Sequence, residues 1–433
     1  MRYRSFGRLD FAPSALGFGA MRLPLLAKDS GEGLGGEDGV AVAKGGEGGE
    51  DGSAAPGPPR IDEQRATDML RRAVEAGVNY VDTAYVYHDG ESEPWLGRAL
   101  RQVASDLYGP GSPGLAELRR RVKVATKLPV WKMERPDDAE RFFGEQLERL
   151  QLDSVDYYLL HGLGAGSLAK LREFDVLGWA ERALADGRIG HLGFSFHDEY
   201  PVFEELVDAT DLWEFCQIQY NYMDEDYQAG TRGLEYAADK GLGVIVMEPL
   251  RGGQLARRPP QAVAALWAAA DVRREAAGLA PAPRSPVDWA LQWVWNRPEV
   301  SFLLSGMSAM EQLEENIACA ERSAPGTLDD DALESCRRVR DAYLELSPIP
   351  CTNCRYCLPC PSGVAIPEVF RIYNEAKIYS GGPAAARFAY GWLAESERAE
   401  LCTQCGACEE ACPQKIATVD WLEKVQQFLA VGE

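Results

Sequence analysis

Short apolar runs separated by stretches of helical period recur along most of this chain. The apolar runs occupy 14–19, 78–83, 122–127, 155–161, 189–195, 215–221, 243–249 and 300–306, and helix-period segments such as 62–76, 139–150, 171–186 and 201–209 lie between them. Eight buried strands alternating with helices predict a parallel (β/α)8 TIM barrel. A doubly wound sheet would need a G-x-G-x-x-G turn after its first strand, and Gly17-Phe18-Gly19 matches that spacing only in part. Helical pattern resumes at 285–296 and 327–346, and Pro348-Ile349-Pro350 then breaks it. Beyond the break, 367–378, 383–400 and 421–429 read as helices. The expected organisation is a barrel over 1–346 and a small, mainly helical domain over 347–433.

Two segments interrupt the alternation. Gly, Glu, Asp and Pro dominate 27–60, which holds almost nothing that can be buried and is expected to be a disordered insertion in the barrel. A shorter Gly/Pro-rich stretch, 104–114, is expected to be a loop.

Charge narrows the set of partners. Lys and Arg total 45 against 67 Asp and Glu, a net charge of -22, which repels nucleic acid and anionic lipid. No run approaches the roughly 20 apolar residues of a membrane helix. With no apolar leader before a small-residue cleavage site, the expected location is cytoplasmic, where thiols stay reduced.

The thiols matter because eight of the eleven cysteines fall in two runs. These are Cys351-x2-Cys354-x2-Cys357-x2-Cys360-Pro361 and Cys402-x2-Cys405-x2-Cys408-x3-Cys412-Pro413. Four evenly pitched thiolates followed by proline suit an iron-sulfur cubane, and the second run has the bacterial ferredoxin spacing. The first run has x2 where x3 is usual. Structural zinc typically uses separated Cys-x2-Cys pairs, which would leave thiolates over. Two [4Fe-4S] clusters are therefore expected. In two-cluster ferredoxins the fourth cysteine ligates the other cluster, which would group Cys412 with the first three and Cys360 with Cys402, Cys405 and Cys408. Cys216, Cys319 and Cys336 stand alone and read as core or helix-face residues.

In a barrel the chemistry collects at the C-terminal strand ends, which here carry Asp82, Lys127, His161, Ser195 and Asn221, with Tyr87 five residues beyond Asp82. A tyrosine is a poor acid near neutral pH unless a cation stabilises its phenolate. Lys127 can supply that charge, Asp82 can hold the lysine protonated, and His161 can hydrogen-bond a carbonyl oxygen. Each alone has an ordinary structural reading, as a turn aspartate, a strand-end charge or a core histidine; together at matched strand ends they form a catalytic constellation. Tyr85 lies two residues before Tyr87. Ser195, Gln217 and Asn221 fit loop hydrogen bonding as well as ligand contact. Arg251-Gly252-Gly253, after the seventh strand, offers bare backbone to a cofactor or forms a plain turn. Loops with Trp131, Trp179, Trp213 or His197 would suit an aromatic or sugar-like substrate, and His88 also lies near the mouth.

Gly77-Val-Asn-Tyr-Val-Asp-Thr-Ala-Tyr-Val-Tyr87, then Gly90-Glu-Ser-Glu93 and Leu96-Gly97, resembles the aldo-keto reductase signature. The segments ending in Lys127 and His161, Gly193-Phe-Ser195, Gln217-Ile-Gln-Tyr-Asn221 and Glu315-Asn316 follow in the same order, and the tail resembles the subgroup with a C-terminal iron-sulfur domain. The resemblance covers about 1–320. It implies Tyr87 as general acid, Lys127 and Asp82 as its tuning pair, and His161 as carbonyl orienter. It implies NAD(P)H as cofactor, with Ser195 and Gln217 on the nicotinamide carboxamide and the stretch holding Ser305, Gly306, Gln312 and Asn316 on the adenosine phosphate end. Phe196 stands where the family often has Asn, and Met247 where many members stack a tyrosine. Gln312 and Gly306 replace two cations, which leaves NADH, or no preference between the coenzymes, open.

The resemblance implies an oxidoreductase acting on a small carbonyl or alcohol. Nicotinamide moves two electrons at once and a cubane one. The clusters would therefore serve an external electron-transfer partner, or staple the C-terminal domain. In a third reading the barrel is a non-catalytic module beside an electron-transfer or redox-sensing unit.

Overall fold

The structure is a computed structural model that describes residues 1–26, 60–110, 112–279, 284–351, 357–378, 382–391, 393–412 and 414–430. The expected insertion at 27–60, apart from Arg60, and Cys354 lie outside the described residues.

Eight parallel strands close into a barrel in sequence order: β1 (Leu16–Gly19), β2 (Tyr80–Asp82), β3 (Lys123–Leu128), β4 (Val155–Leu163), β5 (Ile189–Phe196), β6 (Phe215–Gln219), β7 (Gly243–Met247) and β8 (Val300–Gly306). Closure is made by β1 on β8, Leu16 pairing with Leu303 and Gly19 with Gly306. Every strand falls within a run picked out by its apolar pattern, to within two residues at either end.

Alternation along the strands decides what the barrel holds. At the bottom, Tyr80, Tyr157, Phe215 and Phe302 come from β2, β4, β6 and β8. The Phe6 ring closes this layer from below, 5.5 Å from Tyr157, 5.6 Å from Phe215 and 5.3 Å from Phe302. That approach leaves no room beside β7, where a Cβ on Gly243 would stand 2.1 Å from the Phe6 ring. Ala125 and Ile245, from β3 and β7, lie in the same core. Two residues further along each strand, the same inward face carries Asp82, Lys127, Leu159, Ser195, Gln217, Met247 and Leu304. The apolar period thus delivers the polar set to the mouth.

The helices follow from ordinary amphipathic design. Glu63–Glu75 begins at Asp62, whose carboxylate accepts from the Arg65 N–H at 3.2 Å, and it buries Ala66, Met69, Leu70, Ala73 and Val74 at three- and four-residue spacing. The ends of the long insertion are tied together before that helix starts. Leu25 and Ile61 form an antiparallel bridge, with Leu26 N–H on the Arg60 carbonyl at 2.9 Å and Asp62 N–H on that of Pro24 at 2.8 Å.

Three helical expectations change, the first being 383–400, where the helix is Gly382–Tyr390 and, among the described residues, only short 3-10 turns follow at Glu395–Glu397 and Ala399–Leu401. The segment 104–114 is mostly helical: Ser92–Tyr108 runs on with Val103 and Ala104 buried, Gly109 turns the chain at φ +86°, and Ser112–Arg121 restarts at a proline. The single helix expected over 171–186 is two, Ala165–Glu173 and Val176–Ala185, broken where Asp175 takes a left-handed φ of +48°.

The chain divides into two compact units, 1–256 with 285–329, and 257–284 with 330–433. The boundary expected at 346 lies inside the second unit. Asp330–Leu346 packs there on Gln261–Ala276, with Arg273 donating to Asp331 at 3.0 Å and to Ser335 at 2.8 Å. The core of this unit gathers Ile349, Val364, Val369, Phe370, Leu422 and Val425, with Cys351, Cys357, Cys360, Cys402 and Cys412 packed against it. Among the described residues, no helix is long and apolar enough to cross a membrane.

Candidate active site

The strand ends bring the polar set together. Lys127 is wholly buried, and its ammonium donates to Asp82 Oδ2 at 2.5 Å, to the Thr83 carbonyl at 2.8 Å and to the Tyr87 hydroxyl at 3.2 Å. The His161 ring stands edge-on to Tyr87 with centroids 6.0 Å apart. Of the two neighbouring tyrosines, only Tyr87 reaches the lysine; the Tyr85 hydroxyl donates instead to Glu145 at 2.7 Å.

The turn carrying Tyr87 is held under strain. His88 and Asp89 both adopt left-handed backbone, at φ +52° and +55°, followed by Gly90 at +91°. His88 is no free mouth residue: its Nε2 accepts from the Leu23 N–H at 3.2 Å, binding the turn to the loop after β1.

Burial and charge compete in this set. Burial pulls the Lys127 amine down, but Asp82 and Tyr87 more than offset it, so the ammonium is held above its ordinary range. Burial pushes the Tyr87 phenol up, and Lys127 only partly reverses this. The lysine thus restrains the phenol's rise without making it a strong acid at rest. The His161 imidazole lies well below its usual range, first through burial and then through repulsion from Lys127 and His197. It is neutral at physiological pH and able to donate one hydrogen bond.

A second polar cluster, which the apolar pattern does not announce, lies beside Lys127. Gln146 donates to Glu93 at 2.7 Å and to the Lys127 carbonyl at 3.0 Å, and accepts from the Tyr158 hydroxyl at 2.6 Å. Glu93 also accepts from Thr126 at 2.5 Å. The four side chains come from two strands and two helices, and the period of each element alone gives no sign that they meet.

Around the mouth the remaining expected residues separate. Ser195 Oγ accepts from the Gly162 N–H at 2.8 Å. Gln217 turns its amide nitrogen to the Met247 sulfur at 3.6 Å, and its buried carbonyl oxygen has no partner. An orphaned buried acceptor is costly, and a carboxamide N–H would satisfy it, so the donor set fits a nicotinamide. Asn221 is a loop brace, donating to Asp224 at 3.0 Å and to the Glu248 carbonyl at 3.2 Å. Asn316 joins its helix to β8 by donating to Ser305 Oγ at 2.8 Å, and Gln312 accepts from the Ser308 N–H at 2.9 Å. Gly306 ends β8.

Of the tryptophans expected near the pocket, only Trp131 is at the site, 49 % exposed with its ring 4.9 Å from that of His161. Trp179 and Trp213 are buried, their indole N–H groups donating to Glu140 and to the Leu206 carbonyl. Trp131 also walls a cavity of about 540 Å³ that includes Tyr85, Glu134 and Lys170.

In the second unit, Cys408 is buried, Cys405 is exposed, and the other described cysteines of the two runs are half-buried. Gln404 and Gly406 take left-handed backbone at φ +57° and +75°, curling the chain between Cys402 and Cys408. The stretch from Cys402 to Cys408 carries no acidic side chain, and a curled, thiol-rich segment of this kind suits thiolate ligation of iron.

Comparison with known proteins places these features. The aldo/keto reductase family profile matches residues 51–340, and a 4Fe-4S dicluster domain profile matches 350–417. The chain is 28 % identical to L-galactose dehydrogenase of Arabidopsis thaliana over 304 residues, 67 % of this chain and 88 % of that protein. It is also 28 % identical to human aflatoxin B1 aldehyde reductase member 2, over 60 % of this chain and 79 % of that protein. An aldo-keto reductase from Bacillus halodurans in its holo form shares the fold at a TM-score of 0.55 and 21 % identity, over 78 % of this chain and 96 % of that one. One from Klebsiella pneumoniae in complex with NADPH does so at 0.54 and 21 %, with the same coverage. The chain belongs to the aldo/keto reductase family, oxidoreductases of carbonyl and alcohol groups, and carries a 4Fe-4S dicluster domain toward its C-terminal end.

Proposed function

We propose that the barrel interconverts a small-molecule carbonyl and its alcohol with NAD(P)H, and that the C-terminal domain holds two [4Fe-4S] clusters. One observation carries the first part: a buried ammonium bridging the Asp82 carboxylate and the Tyr87 hydroxyl at the barrel mouth. Bound against Ser195 and the orphaned Gln217 carbonyl, the nicotinamide supplies or accepts a hydride. Tyr87 gives the proton to the carbonyl oxygen or takes it from the alcohol, with Lys127 stabilising the phenolate that results. The neutral His161 imidazole donates a hydrogen bond to the same oxygen and fixes its direction. Asp82 keeps the lysine charged. Trp131, exposed beside His161, offers a flat face to the rest of the substrate.

The similar proteins support the class. An aldehyde reductase and a sugar dehydrogenase are among the relatives, and a protein of the same fold was solved with NADPH. The eight cysteines in two runs support two clusters, grouped as Cys351, Cys354, Cys357 and Cys412 against Cys360, Cys402, Cys405 and Cys408. The acidic chain and reduced thiols suit a cytoplasmic protein that neither nucleic acid nor membrane recruits, and the clusters suit an electron-transfer partner.

The test is anaerobic. Iron-loaded protein is mixed with NADH or NADPH and a panel of aldehydes and sugars, and nucleotide oxidation is followed by the loss of reduced-nicotinamide absorbance while cluster signals are read by EPR. Carbonyl-dependent oxidation of either nucleotide supports the reading, and binding of neither would overturn it.

A further inference from the structure

Glu93 is fully buried in the first turn of the helix Ser92–Tyr108, and its two carboxylate oxygens serve different parts of the site. Oε1 accepts from the Thr126 hydroxyl at 2.5 Å and from the Gln146 amide at 2.7 Å. Both donors belong to the Lys127 side: Thr126 precedes the lysine on β3, and the same Gln146 nitrogen donates to the Lys127 carbonyl at 3.0 Å. Oε2 accepts from Arg149 Nη1 at 3.4 Å, and that nitrogen also donates to the Tyr85 carbonyl at 3.3 Å. Tyr85 lies two residues before Tyr87, and its ring and hydroxyl are held by Arg149 and Glu145 as well.

The residue before Glu93 adds a third tie. Ser92 and Thr83 share a hydrogen bond of 2.8 Å between their hydroxyls, and the Thr83 carbonyl accepts from the Lys127 ammonium. Helix packing alone does not call for a carboxyl here. Burial holds the Glu93 carboxyl above its ordinary range, and hydrogen bonds from Thr126 and Gln146 with the Arg149 charge offset only part of that. Apolar side chains of similar volume often fill such a space with no loss of stability.

We infer that Glu93 is the positioning residue of the proton-transfer pair: it joins the strand of Lys127, through Thr126 and Gln146, to the turn of Tyr87, through Arg149, and so sets the 3.2 Å between ammonium and hydroxyl. This rests on the carbonyl-reduction reading above. Displacement of a reacting group by about 1 Å lowers a rate by about 10²-fold, and the lysine's hold on the phenolate weakens with the same displacement.

The test uses the full-length, iron-loaded chain reducing benzaldehyde, glyceraldehyde and the rest of the aldehyde and sugar panel with NADH or NADPH. Glu93→Gln keeps the shape and the Oε1 acceptor but sets an amide N–H against Arg149, so it cuts the turn side alone. It is expected to lower kcat about 10- to 100-fold with KM and nucleotide Kd unchanged. Arg149→Met, at a partly exposed position that keeps the test open where Glu93→Gln folds poorly, should do the same. The two together should be no worse than either, and Arg149→Lys, with one nitrogen to place between the same acceptors, should restore part. In a Tyr87→Phe background the pair is already gone, and there Glu93→Gln should change turnover by less than about twofold. A kcat within about threefold of wild type in both Glu93→Gln and Arg149→Met, or an equal fold-loss with and without the Tyr87 hydroxyl, overturns the assignment and leaves Glu93 a structural charge. Wild-type chain that reduces nothing in the panel with either nucleotide would instead refute the carbonyl-reduction reading itself.

Discussion

The Tyr85 hydroxyl donates to Glu145 at 2.7 Å while the Arg149 guanidinium covers its ring at 4.1 Å. This pairing removes Tyr85 from contention as the acid and leaves Tyr87 with the lysine. Tyr87→Phe is expected to lower kcat by roughly 10²- to 10⁴-fold with nucleotide affinity unchanged. Tyr85→Phe is expected to keep kcat and lose about 1 kcal/mol of stability. Steady-state kinetics with urea unfolding of both variants checks the pair, and equal loss of kcat in the two would remove Tyr87 from its role.

Lys127 and Asp82 are both buried, so neither tolerates the loss of the other. Asp82→Ala leaves an uncompensated ammonium and should destabilise the barrel by about 3–5 kcal/mol, whereas Lys127→Met with Asp82→Leu should recover most of that. The double variant is nonetheless expected to be inactive. Denaturant midpoints would show the recovery, and turnover would show that stability was not the cause of the loss.

Acid should act through histidine. The folded His161 and His88 both lie below their ordinary values, chiefly through burial. The folded state therefore binds fewer protons than the unfolded chain once pH falls through about 6.5. Stability is full above that pH and declines as pH drops toward the folded values. His161→Asn should flatten part of the slope below about pH 6.5 in urea titrations, and an unchanged slope would place the effect elsewhere.

Much of this architecture is legible in the chain. A period-two pattern reveals which residues share an inner face, so Asp82, Lys127 and His161 can be placed at one rim from the sequence alone. Gly306 is visible there as a lost cation, but the Arg22 stem, which a Cβ added to Gly306 would meet at 3.0 Å, is not, because contacts across roughly 280 residues leave no local pattern. The same holds for Phe6 beneath β7, and for Gln146, whose amide joins two helices and two strands that apolar period treats one at a time. Local conformation hid the rest: a proline can restart a helix as readily as end one, and Ser112–Arg121 does the former.

The floor of the barrel gives a sharp stability test. Gly243→Ala places a methyl 2.1 Å from the Phe6 ring, and overpacking of this kind costs about 1–3 kcal/mol. Phe6→Leu combined with Gly243→Ala should recover part of it. Thermal denaturation of the three variants measures the coupling, and additive losses would mean the two sites are independent.

Removal of iron should be felt where the cysteines meet the helical core. About eight iron atoms per chain are expected after anaerobic loading. Cys408→Ser should lower that count by about half, and chelation should loosen Ile366–Ile378 and Thr418–Ala430 while leaving nucleotide binding in place. Hydrogen exchange on loaded and chelated protein would resolve this.

The bridge between Leu25 and Ile61 makes the barrel indifferent to how much chain separates them. Its paired backbones already fix the path from β1 into Glu63–Glu75, and the entropy of closing a loop grows only slowly with its length. Evolution can therefore lengthen, shorten or exchange the intervening sequence without renegotiating the polar rim of the barrel, and the position is a natural socket for grafting a new module onto an old enzyme.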